Sequence, residues 1–289
     1  MSKLVHEQES SPLQFPLSPR VVLRMTGPDR LRFLSGQVSQ DVSLATDTEA
    51  AYTCVLNAKG QLDAVCHIRI YEDSYLLDAP IELREHLMAR LDRYLIADDV
   101  EILDESDDWA ITHLLNYPDR PVGKLSWVTK RLGQQGLDIF SRTGLPIEGV
   151  GVATEEYYEG LRALHGIPKW GSELQFGQLP QEAGLENDTI SYAKGCYIGQ
   201  EVVSRMKRAG KVPRHLTKFL VSSDTNPPCP IYSDGLEAGE ITTVTDFLSG
   251  ETGNLALGYR RRRFNKTESF SLLPEPVSPA NDQIRVRNS

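Results

Sequence analysis

Residues 51–57 and 61–71 are two apolar, β-branched and aromatic runs separated only by Ala58-Lys59-Gly60, a spacing that suits a tight turn. The runs read as a hairpin, and a further strand at 74–78 follows directly. Val21, Val22, Leu23 and Met25 supply another strand, after which Gly27-Pro28-Asp29 opens a short helix that ends near Gly36. Beyond Pro80 the period changes. Leu83, Leu87, Leu91 and Leu95 recur every fourth position, which is one apolar stripe of a helix. Short strands resume up to about residue 140. A second helix is marked at both ends: Thr154 caps it, Glu155 and Glu156 suit its positive end, and Gly166 with Pro168 stops it. Tyr157, Leu161 and Leu164 form its core-facing stripe. Residues 169–190 have few periodic apolar positions and read as loop. Past about 215, short apolar runs alternate with Pro, Gly, Asp and Asn, as in a small β-barrel or sandwich. The chain is α+β with an all-β module at its C-terminus.

A length of 289 residues points to two or three domains, and 40% hydrophobic residues are enough to give each a core. The first sixteen residues are polar and proline-bearing and read as a loose, flexible arm. They have neither the apolar core of a signal peptide nor the Arg-rich, acid-poor character of a transit peptide. No apolar run reaches about 18 residues, so no membrane-spanning helix is expected. Four widely spaced cysteines do not make a disulfide framework, and a reducing cytoplasm fits them better. A net charge of −9 argues against bulk affinity for nucleic acid or an anionic membrane.

That charge is unevenly spread. Seven of the eleven residues from Asp98 to Asp108 are acidic, which reads as a solvated connection between strands. From Lys194 to Lys218 the only acid is Glu201, against Lys194, Arg205, Lys207, Arg208, Lys211, Arg214 and Lys218. This basic stretch opens on Tyr192-Ala-Lys-Gly-Cys-Tyr-Ile-Gly-Gln-Glu201-Val-Val-Ser-Arg205. If a helix starts near Cys196, unpaired N–H groups and Lys194 both favour the thiolate. On that helix Tyr197, Glu201, Arg205 and Arg208 share one face, and Cys196, Gln200, Val203 and Lys207 another, which separates thiol from carboxylate. The residue types alone leave a reactive thiol and a buried, inert one equally open.

Lys194-Gly-Cys-Tyr-Ile-Gly-Gln-Glu201, followed by Arg205, resembles the signature of the YgfZ family, a folate-binding relative of the glycine-cleavage T-protein whose members support iron–sulfur enzymes. Other segments match in family order: Phe33-Leu-Ser-Gly-Gln-Val-Ser-Gln-Asp41, Leu56-Asn-Ala-Lys-Gly60, Arg162-Ala-Leu-His-Gly-Ile-Pro168 and Leu179-Pro-Gln-Glu-Ala-Gly-Leu185. The resemblance covers roughly residues 20–215.

It implies a T-protein-like ring of three domains around a folate pocket, closed by a small C-terminal β-barrel. The corresponding boundaries are an arm over 1–16 and a folate-binding α+β domain over 17–110, completed by parts of 141–215. A second α+β domain over 111–214 carries the signature, and the barrel occupies 215–289. Glu182 resembles the carboxylate that pairs with the pterin's amino-pyrimidine edge, and Tyr158 stands where the family pattern puts a pocket aromatic. Arg162, Asn57 and Lys59 fall in the matching segments and join them as expected tetrahydrofolate contacts. Cys196 is the expected functional thiol, with Lys194 tuning it and Gly195, Tyr197, Gly199 and Gln200 shaping the site. Glu201 and Arg205 are expected to pair as a supporting ion pair.

The implied function is a folate-binding accessory protein that assembles or repairs iron–sulfur clusters in client enzymes, among them radical enzymes that modify tRNA. A monomer without tightly bound metal and without direct nucleic-acid contacts fits this reading. One departure bears on the alternative, a tetrahydrofolate-dependent one-carbon transferase. The T-protein usually has two adjacent aspartates after its hairpin turn, whereas this chain reads Asp63-Ala64. Asp63 remains the candidate acid/base group, but losing its neighbour weakens activation of a methylamine nitrogen. A third possibility is a scaffold that meets an acidic partner through the basic stretch.

The remaining candidates are weaker. Cys54 and Cys66-His67 lie on the hairpin strands but are too few for zinc. Cys229 is a loop thiol among prolines, and the other histidines lack paired nucleophiles. Arg260–Arg263 read as strand residues whose stems cover apolar surface.

Overall fold

A computed structural model describes residues 11–17, 19–117, 120, 123–144, 146–246, 253–274 and 284–287. The expected loose arm lies outside the described residues up to residue 10, and the part that is described is not loose. Leu13–Pro16 is strand β1, antiparallel to Ala110–Leu115 and parallel to Gly151–Val152, with Leu13 and Phe15 buried. Alternation of apolar Leu13 and Phe15 about Gln14 is the period of a strand, and it outweighs the polar composition around it.

The first sheet contains β2 (Arg20–Thr26), β3 (Ala51–Leu56), β4 (Leu62–Tyr71), β5 (Ser74–Pro80) and β6 (Glu101–Asp104), in the order β3-β4-β5-β2-β6. All its pairings are antiparallel, and β3-β4 is the expected hairpin. Helices α1 (Arg30–Gln37) and α2 (Arg84–Asp92) cover one face, where Phe33, Leu34, Leu87 and Leu91 pack on Val21, Leu23, Ala64, Cys66 and Leu77. The acidic segment is more than a connection. It contains edge strand β6, and Asp98, Asp104 and Asp107 are paired with Arg32 and Arg84.

The second sheet runs β10-β1-β7-β9-β8, with β7 at Ala110–Leu115, β8 at Leu125–Thr129, β9 at Gly136–Ser141 and β10 at Gly151–Val152. Helix α3 (Glu155–His165) follows as expected. Thr154 accepts from the Tyr157 N–H, Gly166 closes the helix at φ +70°, and Leu161 packs on Leu13, Phe15 and Leu115. Residues 169–190, expected as loop, hold a 3-10 turn at Pro180–Ala183 and the short helix α4 (Glu186–Thr189).

Helix α5 (Gln200–Ala209) leads into the C-terminal strands β11 (Arg214–Val221), β12 (Cys229–Ser233), β13 (Leu236–Thr245), β14 (Asn254–Arg261), β15 (Ser269–Phe270) and β16 (Ile284–Val286). Their order is β12-β13-β14-β11-β16-β15, and a bridge between Tyr232 and Ser271 nearly closes the sheet into the expected barrel. Within the described residues no helix is long and apolar enough to cross a membrane.

A buried charge network joins the first two sheets. Arg69 of β4 and Asp78 of β5 face Asp138 of β9, with Arg69 bonded to Asp78 at 2.6 Å and to Asp138 at 3.2 Å. Arg131 bonds both carboxylates, and His113 Nδ1 lies 2.9 Å from Asp138. The Arg69 guanidinium also stacks over Phe140. Burial alone would raise Asp78 and Asp138, but the surrounding guanidinium groups hold both below the ordinary carboxylate range. The barrel docks on the rest through Ala163 against Leu255 and Leu257, through Glu173 accepting from Thr242 and Thr243, and through Arg214.

The signature segment belongs spatially to the first unit, not to the 111–214 unit that was expected to carry it. Ile190, Tyr197 and Val203 share a core with Cys54, Leu56, Leu62 and Val65 of the hairpin. Chain order and packing diverge here because residues 170–209 cross back over the first sheet and bury its second face.

Candidate functional site

Where the three sheets meet there is a cavity of about 880 Å³. Its walls come from every unit: Arg20, Tyr52 and His67 from the first, Arg131, Tyr158 and Trp170 from the second and the crossing segment, and Lys218 and Leu257 from the barrel. Strand alternation explains the first wall. Ala64, Cys66 and Ile68 point into the helical core, so Val65 and His67 point the opposite way, into the cavity. His67 lies on Tyr52 with ring centroids 4.5 Å apart and planes at 17°. Arg131 Nη1 reaches His67 Nδ1 at 3.1 Å while its other donors hold Asp78 and Asp138. Burial, reinforced by the Arg131 charge, keeps the His67 imidazole neutral well below its ordinary pKa of 6.5.

Of the five expected folate contacts, two line this cavity: Tyr158 and Arg162. Arg162 is almost fully buried and already bonded to Glu159, Glu173 and the Ile167 carbonyl. Glu182 is buried beside the lining residue Ala183 but does not itself line the cavity. Its carboxylate accepts from Arg214 Nε at 2.8 Å, and Arg214 in turn reaches Glu240 and stacks over Tyr259. Asn57 and Lys59 are elsewhere. Asn57 Oδ1 accepts the N–H groups of Lys59 and Gln61, which closes the hairpin turn, and Lys59 is exposed.

Asp63 lines a separate hollow of about 180 Å³ with Asn57, His86, Arg90, Arg93 and Tyr94. Arg90 Nε bonds Asp63 at 3.1 Å, and its remaining nitrogens go to Gln37 and the Leu56 carbonyl. A carboxylate held this way is the counter-ion of a buried arginine, and it does not face the central cavity.

The signature segment forms a pinned loop. Gly199 (φ +88°) sits so close to the hairpin that a Cβ would lie 2.6 Å from the Asn57 carbonyl oxygen. Reciprocally, a Cβ on Gly60 would press on Val202 and Val203. The Lys194 ammonium donates to the carbonyls of Ser35, Val38 and Gln40 at 2.8–2.9 Å, at the end of α1. All three of its protons are thus spent on backbone oxygens, so none is left to donate to the Cys196 thiol, and any effect of Lys194 on it acts through charge alone. Burial lowers this ammonium to about 8, with Asp41 opposing. The helix expected near Cys196 begins only at Gln200, because Tyr197 must turn inward to join the hairpin core. Cys196 is therefore exposed on the loop, a free thiol four residues ahead of α5. Gly195 is exposed with open space around its α-carbon, and Gln200 Nε2 approaches the Gly195 carbonyl at 3.5 Å. Among the described residues no ion pair joins Glu201 to Arg205. Both are exposed on α5, where solvent screening leaves little to gain from pairing.

The other thiols differ in kind. Cys54 is opposite Val65 and Cys66 opposite Thr53, so the two sulfurs face opposite sides of the sheet and cannot share an ion. Burial pushes Cys54 up to about 12, opposed by its contacts with the Thr189 and Ser39 hydroxyls, and holds Cys66 well above its ordinary value.

No family model matches the chain. It is 25% identical over 248 residues to the mitochondrial iron-sulfur cluster assembly factor IBA57 homolog of Neurospora crassa, a match of 76% of this chain and 54% of that protein. It is 24% identical over 264 residues to the tRNA-modifying protein YgfZ of Aliivibrio fischeri, covering 83% of each chain. The chain is a relative of the YgfZ and IBA57 proteins. It spans just over half the length of the Neurospora relative. The glycine cleavage system aminomethyltransferase T from Bartonella henselae superposes with a TM-score of 0.79 at 15% identity, over 99% of this chain and 88% of that one. At that identity the likeness establishes the T-protein-like fold.

For a YgfZ relative, the residues whose place in the cavity the sequence does not show are Arg20, Tyr52 and His67 of the first wall and Arg131 of the second unit. His67 stood out only as a possible metal ligand beside Cys66. The usable signal was the strand period, which puts His67 on the face opposite Cys66. Arg131 carried no signal, since its role depends on a contact between two sheets.

Proposed function

We propose that this chain is a folate-binding accessory protein that supports iron–sulfur cluster assembly or repair in client enzymes, through the Cys196 thiol. The observation that carries this reading is the pairing of an exposed thiol with a rigid mount. Cys196 projects from a loop fixed by Lys194 on one side and Gly199 on the other, while Cys54 and Cys66 are buried. A thiol held this way can lend one ligand to a cluster whose other ligands come from a partner; alone it is too few for a stable site. The names of the IBA57 and YgfZ relatives agree with that role, and clients that modify tRNA follow from the second name.

The central cavity suits a folate. It offers aromatic faces at Tyr52, Tyr158 and Trp170 for a flat heterocycle, and donors at His67 and Arg131. Glu182 is committed to Arg214, so the carboxylates that can meet an amino-pyrimidine edge are the lining residues Asp188 and Glu49. A tetrahydrofolate-dependent one-carbon transferase is the weaker reading, because Asp63 is bound to Arg90 and outside the cavity. We infer a cytoplasmic monomer without membrane attachment, with iron–sulfur client or assembly proteins as its partners.

Two measurements test this. In a host lacking its own YgfZ-type protein, Cys196→Ala should fail to restore iron–sulfur enzyme activity that the wild type restores. Full restoration removes the thiol from the account. Tetrahydrofolate titrated into the wild-type protein in a calorimeter should show saturable binding, and a flat titration removes the folate.

A further inference from the structure

The Tyr52–His67 stack is built more carefully than a cavity wall requires. Arg131 has only donors to offer, so the 3.1 Å contact with its Nη1 makes His67 Nδ1 the acceptor. The single ring proton of the neutral imidazole then resides on Nε2. Arg131 cannot swing away, because Asp138 and Asp78 hold its other nitrogens at 2.6–2.9 Å. Among the described residues nothing accepts from His67 Nε2, and nothing bonds the Tyr52 hydroxyl, although both residues line the cavity. Burial holds the phenol protonated far above its ordinary range, as it holds the imidazole neutral. Two uncharged donors thus stand side by side, in a field set by Arg20, Arg69 and Arg131 against Asp78 and Asp138. Three fixed cations against two anions favour an electron-rich oxygen in front of them.

We propose that Tyr52 Oη–H and His67 Nε2–H form a subsite of the central cavity that takes a carbonyl or carboxylate oxygen of a planar ligand. This rests on the folate reading only for the identity of the ligand, which can offer such an oxygen from its pterin ring or from its glutamate. The site selects by geometry. An acceptor meets a preset donor, whereas a ligand presenting an N–H there finds no acceptor, and buried unpaired donors are costly.

The tautomer is tested first, without ligand. Imidazole ¹⁵N shifts of His67 should show Nε2 protonated and Nδ1 bare from pH 5.5 to 8. A proton on Nδ1, or on both nitrogens, overturns the proposal. Tetrahydrofolate is then titrated into wild type, Tyr52→Phe, His67→Gln and His67→Phe, each checked for an unchanged melting curve. Tyr52→Phe keeps the ring stack and His67→Gln keeps an N–H near the Nε2 position. Loss of one donor should weaken binding about tenfold in Tyr52→Phe and His67→Phe, with His67→Gln nearer wild type. Wild-type affinity in both Tyr52→Phe and His67→Phe overturns the subsite and leaves the folate reading intact. Tetrahydropterin and p-aminobenzoylglutamate, tested separately, assign the oxygen to ring or tail according to which fragment loses affinity in Tyr52→Phe. If wild type binds no tetrahydrofolate, the folate reading falls, and benzoate decides the subsite. A saturable shift of the His67 Nε2 resonance then supports it, and no shift overturns it.

Discussion

His67 and the two buried aspartates beside it respond to acid in separate ranges. The folded imidazole has its pKa well below the 6.5 of the free side chain, through burial and then the Arg131 charge. As pH falls below 6.5 the unfolded chain takes up a proton that the folded one refuses, so stability declines. His165 and His215, also lowered mainly by burial, add to the same range. Asp78 and Asp138 are held below 3.8 by their guanidinium neighbours, so their contribution is present above that value and is lost progressively as pH falls below it towards their lower folded-state pKa. Thermal midpoints measured from pH 8 to 3 should therefore decline in two stages, the first beginning near pH 6.5. In His67→Gln the first stage should be shallower and the second unchanged. A single transition near pH 4 for the wild type would show that His67 titrates normally.

Among elements, the contact between the hairpin turn of β3-β4 and the entrance of α5 decides where the signature loop sits. A Gly199→Ala variant must accommodate both a left-handed φ and a Cβ 2.6 Å from the Asn57 carbonyl oxygen. A loss of about 1–3 kcal/mol is expected from urea midpoints. Gly195→Ala has open space and should change stability by less than about 0.5 kcal/mol. Equal losses at the two glycines would show that the close approach is unimportant. These elements also show what was legible in the sequence. The hairpin, α3 with its Thr154 cap and Gly166 stop, and the C-terminal strands were readable because local period and punctuation carry them. A helix starting near Cys196 puts Tyr197 and Val203 on different faces, yet both point into one core, because Tyr197 turns inward from the loop before α5 begins at Gln200. The motif around Glu182 points to a pocket, but the partner of this carboxylate, Arg214, lies 32 residues away and on another unit. Lys194 stands two residues before Cys196 in sequence, whereas its acceptors are about 155 residues distant in α1 and the turn after it.

The units of the molecule are joined by polar contacts as well as apolar ones. Asp138 accepts from Arg131, Arg69 and His113, all at or near full burial. Asp138→Asn removes the charge and leaves buried guanidinium groups short of a counter-ion, which should cost about 3–5 kcal/mol of stability in chemical denaturation. A loss below about 1 kcal/mol would mean that the joint relaxes or admits water. Asp63→Asn, which weakens the pairing of Arg90 within one unit, should leave the association of the two sheets unchanged. Strand β1 adds a consequence for how the protein is handled. Leu13–Pro16 lies between β7 and β10, and Gln14 also donates its side-chain amide to the carbonyls of Ile147 and Val150. A shortened polypeptide that starts at residue 17 would lack an interior rung of its second sheet and expose the facing edge of β7. Such a product is expected to self-associate, and an affinity tag is better joined ahead of residue 11 than in place of the residues that follow.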